Sequence, residues 1–162
     1  MPDMLARLYT LPDHHELLAQ LHADGITIRR VIPPEKHLVV EWVRNTFSEN
    51  WATEVERAIL NTPITCIIAV HDGALLGFAC YDATFLGYFG PTGVLESERG
   101  KGIGKALLLA TLHAMHEHGY GYAIIGWVGP AEFYTKCCSA ELIADSTPGN
   151  YVGMLTRQPA AT

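Results

Sequence analysis

The sequence predicts a single α/β domain, a mixed and mostly antiparallel sheet flanked by helices and preceded by a short strand–helix extension over residues 1–25. Three observations carry that reading. Thr65–Val70 and Leu75–Tyr81 are β-rich runs parted by His71-Asp72-Gly73, and Asp-Gly between two such runs is a strong hairpin signal. Tyr88–Leu95 leads through a glycine-rich turn into a long apolar-faced helix, which a buried-type strand over Tyr122–Val128 follows. The 162 residues are 49% hydrophobic, enough for one sizeable core and short for two.

The elements follow in order. Ala6–Thr10 reads as a short strand ended by Leu11-Pro12, and Asp13 as the N-cap of a helix through about Ala23, with Gly25 just beyond it. Ile26–Val31 alternates as a half-buried strand does. Pro33-Pro34 ends it and opens a helix carrying Leu38, Val39, Trp42 and Val43 on one face. A second helix is expected over Trp51–Leu60, with Val55, Ala58 and Ile59 inward. The long helix runs from about Gly102 to His118. Ile103, Leu107, Ala110 and Ala114 form its face, Ala106 and Met115 widen it, and Gly119 stops it. Pro130 opens a short helix through Tyr134, and a last strand is expected over Tyr151–Leu155.

Composition narrows the function. Eleven Lys and Arg stand against 17 Asp and Glu, a formal charge of −6, which disfavours a nucleic-acid backbone as partner. No apolar run reaches the ~20 residues that cross a bilayer, so no membrane partner is expected. Met1-Pro2-Asp3-Met4 lacks a basic-then-apolar signal, and a cytoplasmic location is the expectation. Cys66 and Cys80 lie in apolar runs, Cys137 and Cys138 are adjacent, and no CxxC pair suggests zinc or redox chemistry. His113, His116 and His118 have no further ligand pattern around them, so no metal is expected.

The most informative stretch is Val94-Leu95-Glu96-Ser97-Glu98-Arg99-Gly100-Lys101-Gly102-Ile103-Gly104-Lys105. A strand ends, glycines fall at every second position, and a helix begins. A helix start leaves main-chain N–H groups without intrahelical partners and carries partial positive charge, and glycines let a diphosphate approach those amides. Arg99, Lys101 and Lys105 add cations to the same turn. The spacing fits neither GxxxxGK[ST] nor GxGxxG within an early βαβ unit.

Arg99-Gly100-Lys101-Gly102-Ile103-Gly104 matches [QR]-x-x-G-x-[GA] at every fixed position, and so resembles the phosphate loop of the GNAT superfamily of acyl-CoA N-acyltransferases. Gly93-Val94 and the helix after the loop are similar to that family's motif A, and Ala131-Glu132-Phe133-Tyr134 to its motif B. Two departures stand out: Leu95-Glu96 replaces an apolar-Pro pair, and Trp127-Val128-Gly129-Pro130 lacks an asparagine. The resemblance covers about Thr65–Ile143. It implies a sheet splayed at the cofactor site and acetyl-CoA as co-substrate. The backbone of Gly93, Val94 and Leu95 would pair with the pantetheine arm, and the Arg99–Lys105 amides would hold the pyrophosphate.

The implied reaction is acetyl transfer from acetyl-CoA to a primary amine of a small molecule, by direct attack in a ternary complex. Tyr134 is the candidate general acid toward sulfur, and the Val94 N–H the candidate oxyanion donor. Asp82 at the end of a strand is the candidate base, with Glu96, Glu49 and a water as alternatives. Phe47, Trp51, Tyr81 and Trp127, with Tyr88 and Phe89, are expected to line the acceptor pocket. A CoA-binding sensor without turnover and a peptide N-acetyltransferase are the alternative readings. The N-terminal extension is expected either to make a dimer contact or to shield a sheet edge.

Overall fold

Asp72 and Gly73 both adopt positive φ, +48° and +76°, the backbone of a two-residue type I′ hairpin turn. Around that turn β3 (Cys66–His71) pairs antiparallel with β4 (Ala74–Tyr81). The computed structural model describes residues 1–161. Before the hairpin come β1 (Met4–Arg7), α1 (His15–Ala23), β2 (Ile26–Arg30), α2 (Lys36–Thr46) and α3 (Glu49–Ile59). After it come β5 (Tyr88–Val94), α4 (Ile103–His118), β6 (Tyr122–Ile125), α5 (Ala131–Cys138) and β7 (Glu141–Leu142). The strands form one sheet in the order β2-β3-β4-β5-β6-β1-β7, antiparallel throughout except between β5 and β6.

Two cores cover the two faces. Leu21 of α1, Leu107, Leu112 and Met115 of α4, and Tyr134 and Cys138 of α5 pack on one face. Val39 and Val43 of α2 and Val55 and Ala58 of α3 pack with Phe78 on the other. Each fully buried Leu, Val or Met contributes ~1.5–3 kcal/mol. The long helix buries Leu108, Leu109 and Thr111 as well as its expected face, because the sheet, α1 and α5 enclose it. Gly119 closes it at φ +113°, with the Tyr120 N–H reaching back to the Met115 carbonyl.

Several boundaries move, each for a local reason. The strand expected over Ala6–Thr10 lies earlier, at Met4–Arg7, and Leu8–Thr10 forms a 3-10 turn. Ser48 caps α3 by accepting from the Trp51 N–H, so that helix starts at Glu49. β6 stops at Ile125 because Trp127 takes a left-handed backbone, φ +47°. The short helix after Pro130 continues to Cys138. The expected strand over Tyr151–Leu155 does not form. Pro148 with Gly149 and Gly153, both at positive φ, turns that segment instead, and Glu141–Leu142 supplies the last strand.

β1 settles what the extension does within the chain. It lies inside the sheet between β6 and β7, so it covers the edge of β6. The α1 helix of the same extension packs on α4 and β2.

The sheet parts between β5 and β6. Their parallel pairing is limited to Tyr88↔Ile124 and Phe89↔Ile125, after which β5 runs on to Val94 paired with β4 but not with β6. On its other edge Ala79 faces Thr92 while Tyr81 faces Phe89. Gly90 and Pro91 together therefore oppose Cys80, a bulge at the level where β6 departs. A bulge bends its strand and sharpens the local twist, which accounts for the gap.

Candidate active site

The parted strands lead directly to the glycine turn. Gly100 and Gly102 sit at φ +82° and +87°, and Gly102 is the N-cap of α4. Among the described residues, none of the main-chain N–H groups from Gly100 to Lys105 meets a protein acceptor; the first intrahelical bond runs from the Ala106 N–H to the Gly102 carbonyl. Six consecutive unshared donors at a helix start form an anion-binding concavity. Lys101 is spent on Glu98, with Nζ 2.6 Å from Oε2, whereas Arg99 and Lys105 make no ion pair among the described residues. A Cβ on Gly102 would lie 3.2 Å from Leu17 Cδ1, which brings the N-terminal helix α1 against the turn.

Val94 and Phe133 converge beside this turn. A Cβ on Gly104 would be 3.7 Å from Val94 Cγ2 and 3.9 Å from Phe133 Cζ. The gap between β5 and β6 is thus walled by the β5 main chain on one side and by α5 on the other. The Leu95 N–H donates to Leu76 O at 2.8 Å, so the strand's pairing with β4 continues to the edge of the turn.

Tyr134 stands on α5 against Phe89, ring centroids 6.2 Å apart, at the point where the two strands separate. It is buried, and its hydroxyl enters no hydrogen bond among the described residues. Burial, with a smaller contribution from Cys138 and Cys137, pushes its pKa up to about 12. The phenol therefore keeps its proton at any working pH. It is also a weaker acid than an ordinary thiol by roughly 3.5 units, ~5 kcal/mol, so it suits hydrogen-bond donation to a developing thiolate better than outright proton release.

Other expected residues fall elsewhere. Asp82 is buried at φ +52°, and its Oδ1 accepts from the Gly87 N–H at 2.7 Å. The Tyr120 hydroxyl donates to both carboxylate oxygens at 2.9 Å. These bonds occupy the Asp82 carboxylate and tie the β4–β5 loop to the end of α4, a structural task. Tyr81 is a correction: it is fully buried, and its hydroxyl lies 3.3 Å from Arg30 Nη1 and 3.4 Å from His118 Nδ1. Side chains alternate along β4, so Tyr81 faces the α4 core and not the acceptor side. Glu49 is exposed and paired with Arg44 at 2.8 Å, and Glu96 opens an exposed 3-10 turn.

Phe47 and Trp51 are half-buried and pack with Phe78, at centroid distances of 5.6 and 6.1 Å. They cap the second core beside β5, and Phe89 belongs to the first core. Trp127 is exposed and stacks on Tyr151 at 4.3 Å. Tyr151 was legible only as part of a strand.

Two further residues escape a reading of motifs. Glu54 interrupts the apolar face of α3 formed by Trp51, Val55 and Ala58, and that interruption is the one signal it leaves in the sequence. Asp3 is buried, and its Oδ1 accepts from the Trp127 N–H at 3.0 Å. Nothing local marks it, because its partner lies 124 residues away.

No helix of the described residues is long and apolar enough to cross a membrane. Among the described residues no group of three or more His, Cys, Asp or Glu gathers as a metal site would require.

Comparison with known proteins agrees with this geometry. No curated protein matches the chain. A GCN5-related glucosamine N-acetyltransferase region of a fungal multi-domain GH3 β-N-acetylglucosaminidase superposes with a TM-score of 0.71 at 16% identity, over 88% of this chain and 19% of that one. A GCN5-related N-acetyltransferase from Sphaerobacter thermophilus gives 0.68 at 22% identity, over 88% of this chain and 48% of that one. A GNAT family acetyltransferase from Brucella melitensis, solved with acetyl-CoA, gives 0.53 at 19% identity, over 74% and 88%. The chain thus spans about half or less of the first two proteins, and at these identities the likeness is one of fold. The model of the acetyltransferase (GNAT) family matches residues 36–138, more than half of the chain, including both strands that border the gap and the glycine turn. This chain belongs to the GNAT acetyltransferase family.

Proposed function

We propose that the protein is an acetyl-CoA-dependent N-acetyltransferase acting on a primary amine of a small molecule. The run of unshared N–H groups from Gly100 to Lys105, at the mouth of the gap between β5 and β6, carries this reading. Those donors, with Arg99 and Lys105, fit a diphosphate, and the edge of β5 that β6 leaves free up to Val94 fits an extended amide-bearing arm. The co-substrate supplies an acetyl thioester. The amine must attack as a free base, so the bound ammonium first gives one proton to water, the nitrogen then forms the new C–N bond as the C–S bond breaks, and the thiolate takes a proton. Tyr134 donates a hydrogen bond to that sulfur, and holding both reactants in one cleft supplies much of the rate.

A calorimetric titration with acetyl-CoA, followed by thiol release on a panel of primary amines, tests the assignment. Tight binding with turnover on at least one small amine is expected. Binding without turnover on any amine would leave a CoA-binding protein in place of an enzyme, and turnover confined to peptides would move the acceptor class.

A further inference from the structure

α3 carries three glutamates, and two of them have cationic partners: Glu49 with Arg44 at 2.8 Å, and Glu56 with Lys36 at 2.5 Å. Arg57, the cation on the same helix, is turned to Asn61 at 2.7 Å. Glu54 has none within 4 Å among the described residues, yet it is more deeply buried than Glu49 or Glu56. Its Oε1 accepts from the Thr84 hydroxyl, and among the described residues no protein donor reaches Oε2. A carboxylate withdrawn from water without a counter-charge is costly, and proteins rarely keep one that nothing uses.

Aromatic rings stand beside it. Tyr151 lies next to Thr84 and Glu54, stacked on Trp127 at 4.3 Å and edge-on to Phe85 at 5.9 Å, and Phe85 meets Tyr88 at 5.1 Å. The Tyr151 hydroxyl would be 2.9 Å from a Cβ on Gly126, the residue at which β6 leaves β5. The cluster therefore stands at the apex of the gap, on the side opposite Tyr134. Trp127 is held there in a left-handed backbone that only a few per cent of non-glycine residues adopt, an energetic cost of the kind that gathers at binding sites.

Resting on the acetyltransferase reading, we propose that Glu54 binds the acceptor's ammonium group, and that the acceptors are primary alkylammonium compounds with an aromatic or apolar body and no carboxylate of their own. An unpaired carboxylate gives the cation a charge-assisted hydrogen bond and repels an acceptor carboxylate. Tyr151, with Trp127 and Phe85 packed around it, adds an aromatic wall and apolar contact. Burial raises the Glu54 pKa, so a bound cation relieves a cost already present in the free protein.

Phenethylamine and phenylalanine share an ammonium and a ring and differ by one carboxylate, which makes them the probe pair. The full chain with acetyl-CoA is expected to favour phenethylamine at least tenfold in kcat/KM. Glu54→Gln is expected to lower that kcat/KM by 10- to 100-fold, to narrow the preference toward unity, and to leave acetyl-CoA affinity unchanged. Its Tm at pH 7 should equal or exceed that of the parent, an outcome a purely structural glutamate would not give. Glu54→Asp should fall between. Turnover of both probes with no preference, turnover confined to carboxylate-bearing, sugar or peptide amines, or a Glu54→Gln variant within twofold of the parent would overturn the assignment and leave the transferase reading intact. If no amine turns over, that reading fails; calorimetric binding of phenethylamine to the acetyl-CoA complex, lost in Glu54→Gln, would still uphold the assignment, and equal binding would overturn it.

Discussion

The Phe47 ring lies over the main chain of Gly93, so closely that a Cβ on Gly93 would sit 2.6 Å from Phe47 Cζ and 2.7 Å from Cε1. The join between α2 and α3 thus rests on the strand that borders the gap. Gly93→Ala is expected to push the ring aside at a cost of ~1–3 kcal/mol, read as a lower Tm. Phe47→Leu in the same chain should recover part of that loss, and a double-mutant cycle measures the coupling. Additive losses would refute the contact.

The cradle makes a prediction about charge. Lys101 is engaged by Glu98, while Arg99 and Lys105 are not engaged. Arg99→Ala should therefore weaken acetyl-CoA binding more than Lys101→Ala, by about 5- to 10-fold against about 2-fold, with the gap closing in high salt. Equal effects in calorimetric titration would count against the turn as the diphosphate site.

Gly102→Val combines two penalties in one place, a positive φ of +87° and a Cβ 3.2 Å from Leu17. Affinity for acetyl-CoA should fall strongly. Stability should drop by ~1–3 kcal/mol as well, because α1 must shift. Circular dichroism should still show the native helical content. Unchanged affinity would remove the cradle from consideration.

Because burial lifts Tyr134 to about 12, its neutral form persists through the whole range between pH 6 and 10. Tyr134→Phe is expected to lower kcat by ~100-fold with little change in acetyl-CoA affinity. The parent should show no alkaline loss of kcat below about pH 10 that the variant lacks. Such a limb would mean that Tyr134 titrates lower and acts differently.

Glu54 gives the acidic side of the profile. Its pKa is raised by burial and lowered in part by the Thr84 hydroxyl. The titratable groups around it are Tyr151, pushed up to about 12, the buried thiol of Cys80, also pushed up, and Asp3 beyond Tyr151. Tyr151 and Cys80 stay neutral at moderate pH. Protonation of Glu54 removes its charge, so kcat/KM for a cationic acceptor should fall as pH drops toward the raised carboxyl value, and Glu54→Gln should flatten that fall. The stability effect has the opposite sign. A raised folded pKa means the fold is favoured while Glu54 is protonated and loses that advantage as pH rises through the folded value.

Asp3 links the first strand to the acceptor side. Its carboxylate holds the Trp127 N–H, its own N–H donates to Ser146 Oγ at 2.8 Å, and its carbonyl accepts from the Ile143 N–H at 2.9 Å. Asp3→Ala should cost ~1–3 kcal/mol and lower Tm by several degrees. With Trp127 released, it should raise KM for the amine and spare acetyl-CoA affinity. An unchanged KM would separate Asp3 from the site.

The sequence by itself determined what depends on near neighbours. The Asp72-Gly73 hairpin, the glycine turn from Gly100 to Gly104 and the long helix behind it are each dictated by φ preference, capping and periodicity within a dozen residues. The same is true of Tyr134, one helical turn into a segment opened by Pro130. Only the tertiary structure decided which face each residue meets and what it finds there. Tyr81 and Asp82 are adjacent in sequence, yet strand alternation turns Tyr81 into the α4 core and a left-handed backbone holds Asp82 under the Tyr120 hydroxyl. Tyr151 gave up a strand to lie on Trp127, and Glu54 is set apart from Glu49 and Glu56 by the cation it does not meet among the described residues. A missing counter-charge and a Tyr151 ring laid on Trp127 are relations between distant segments, and packing creates them only once the core has formed.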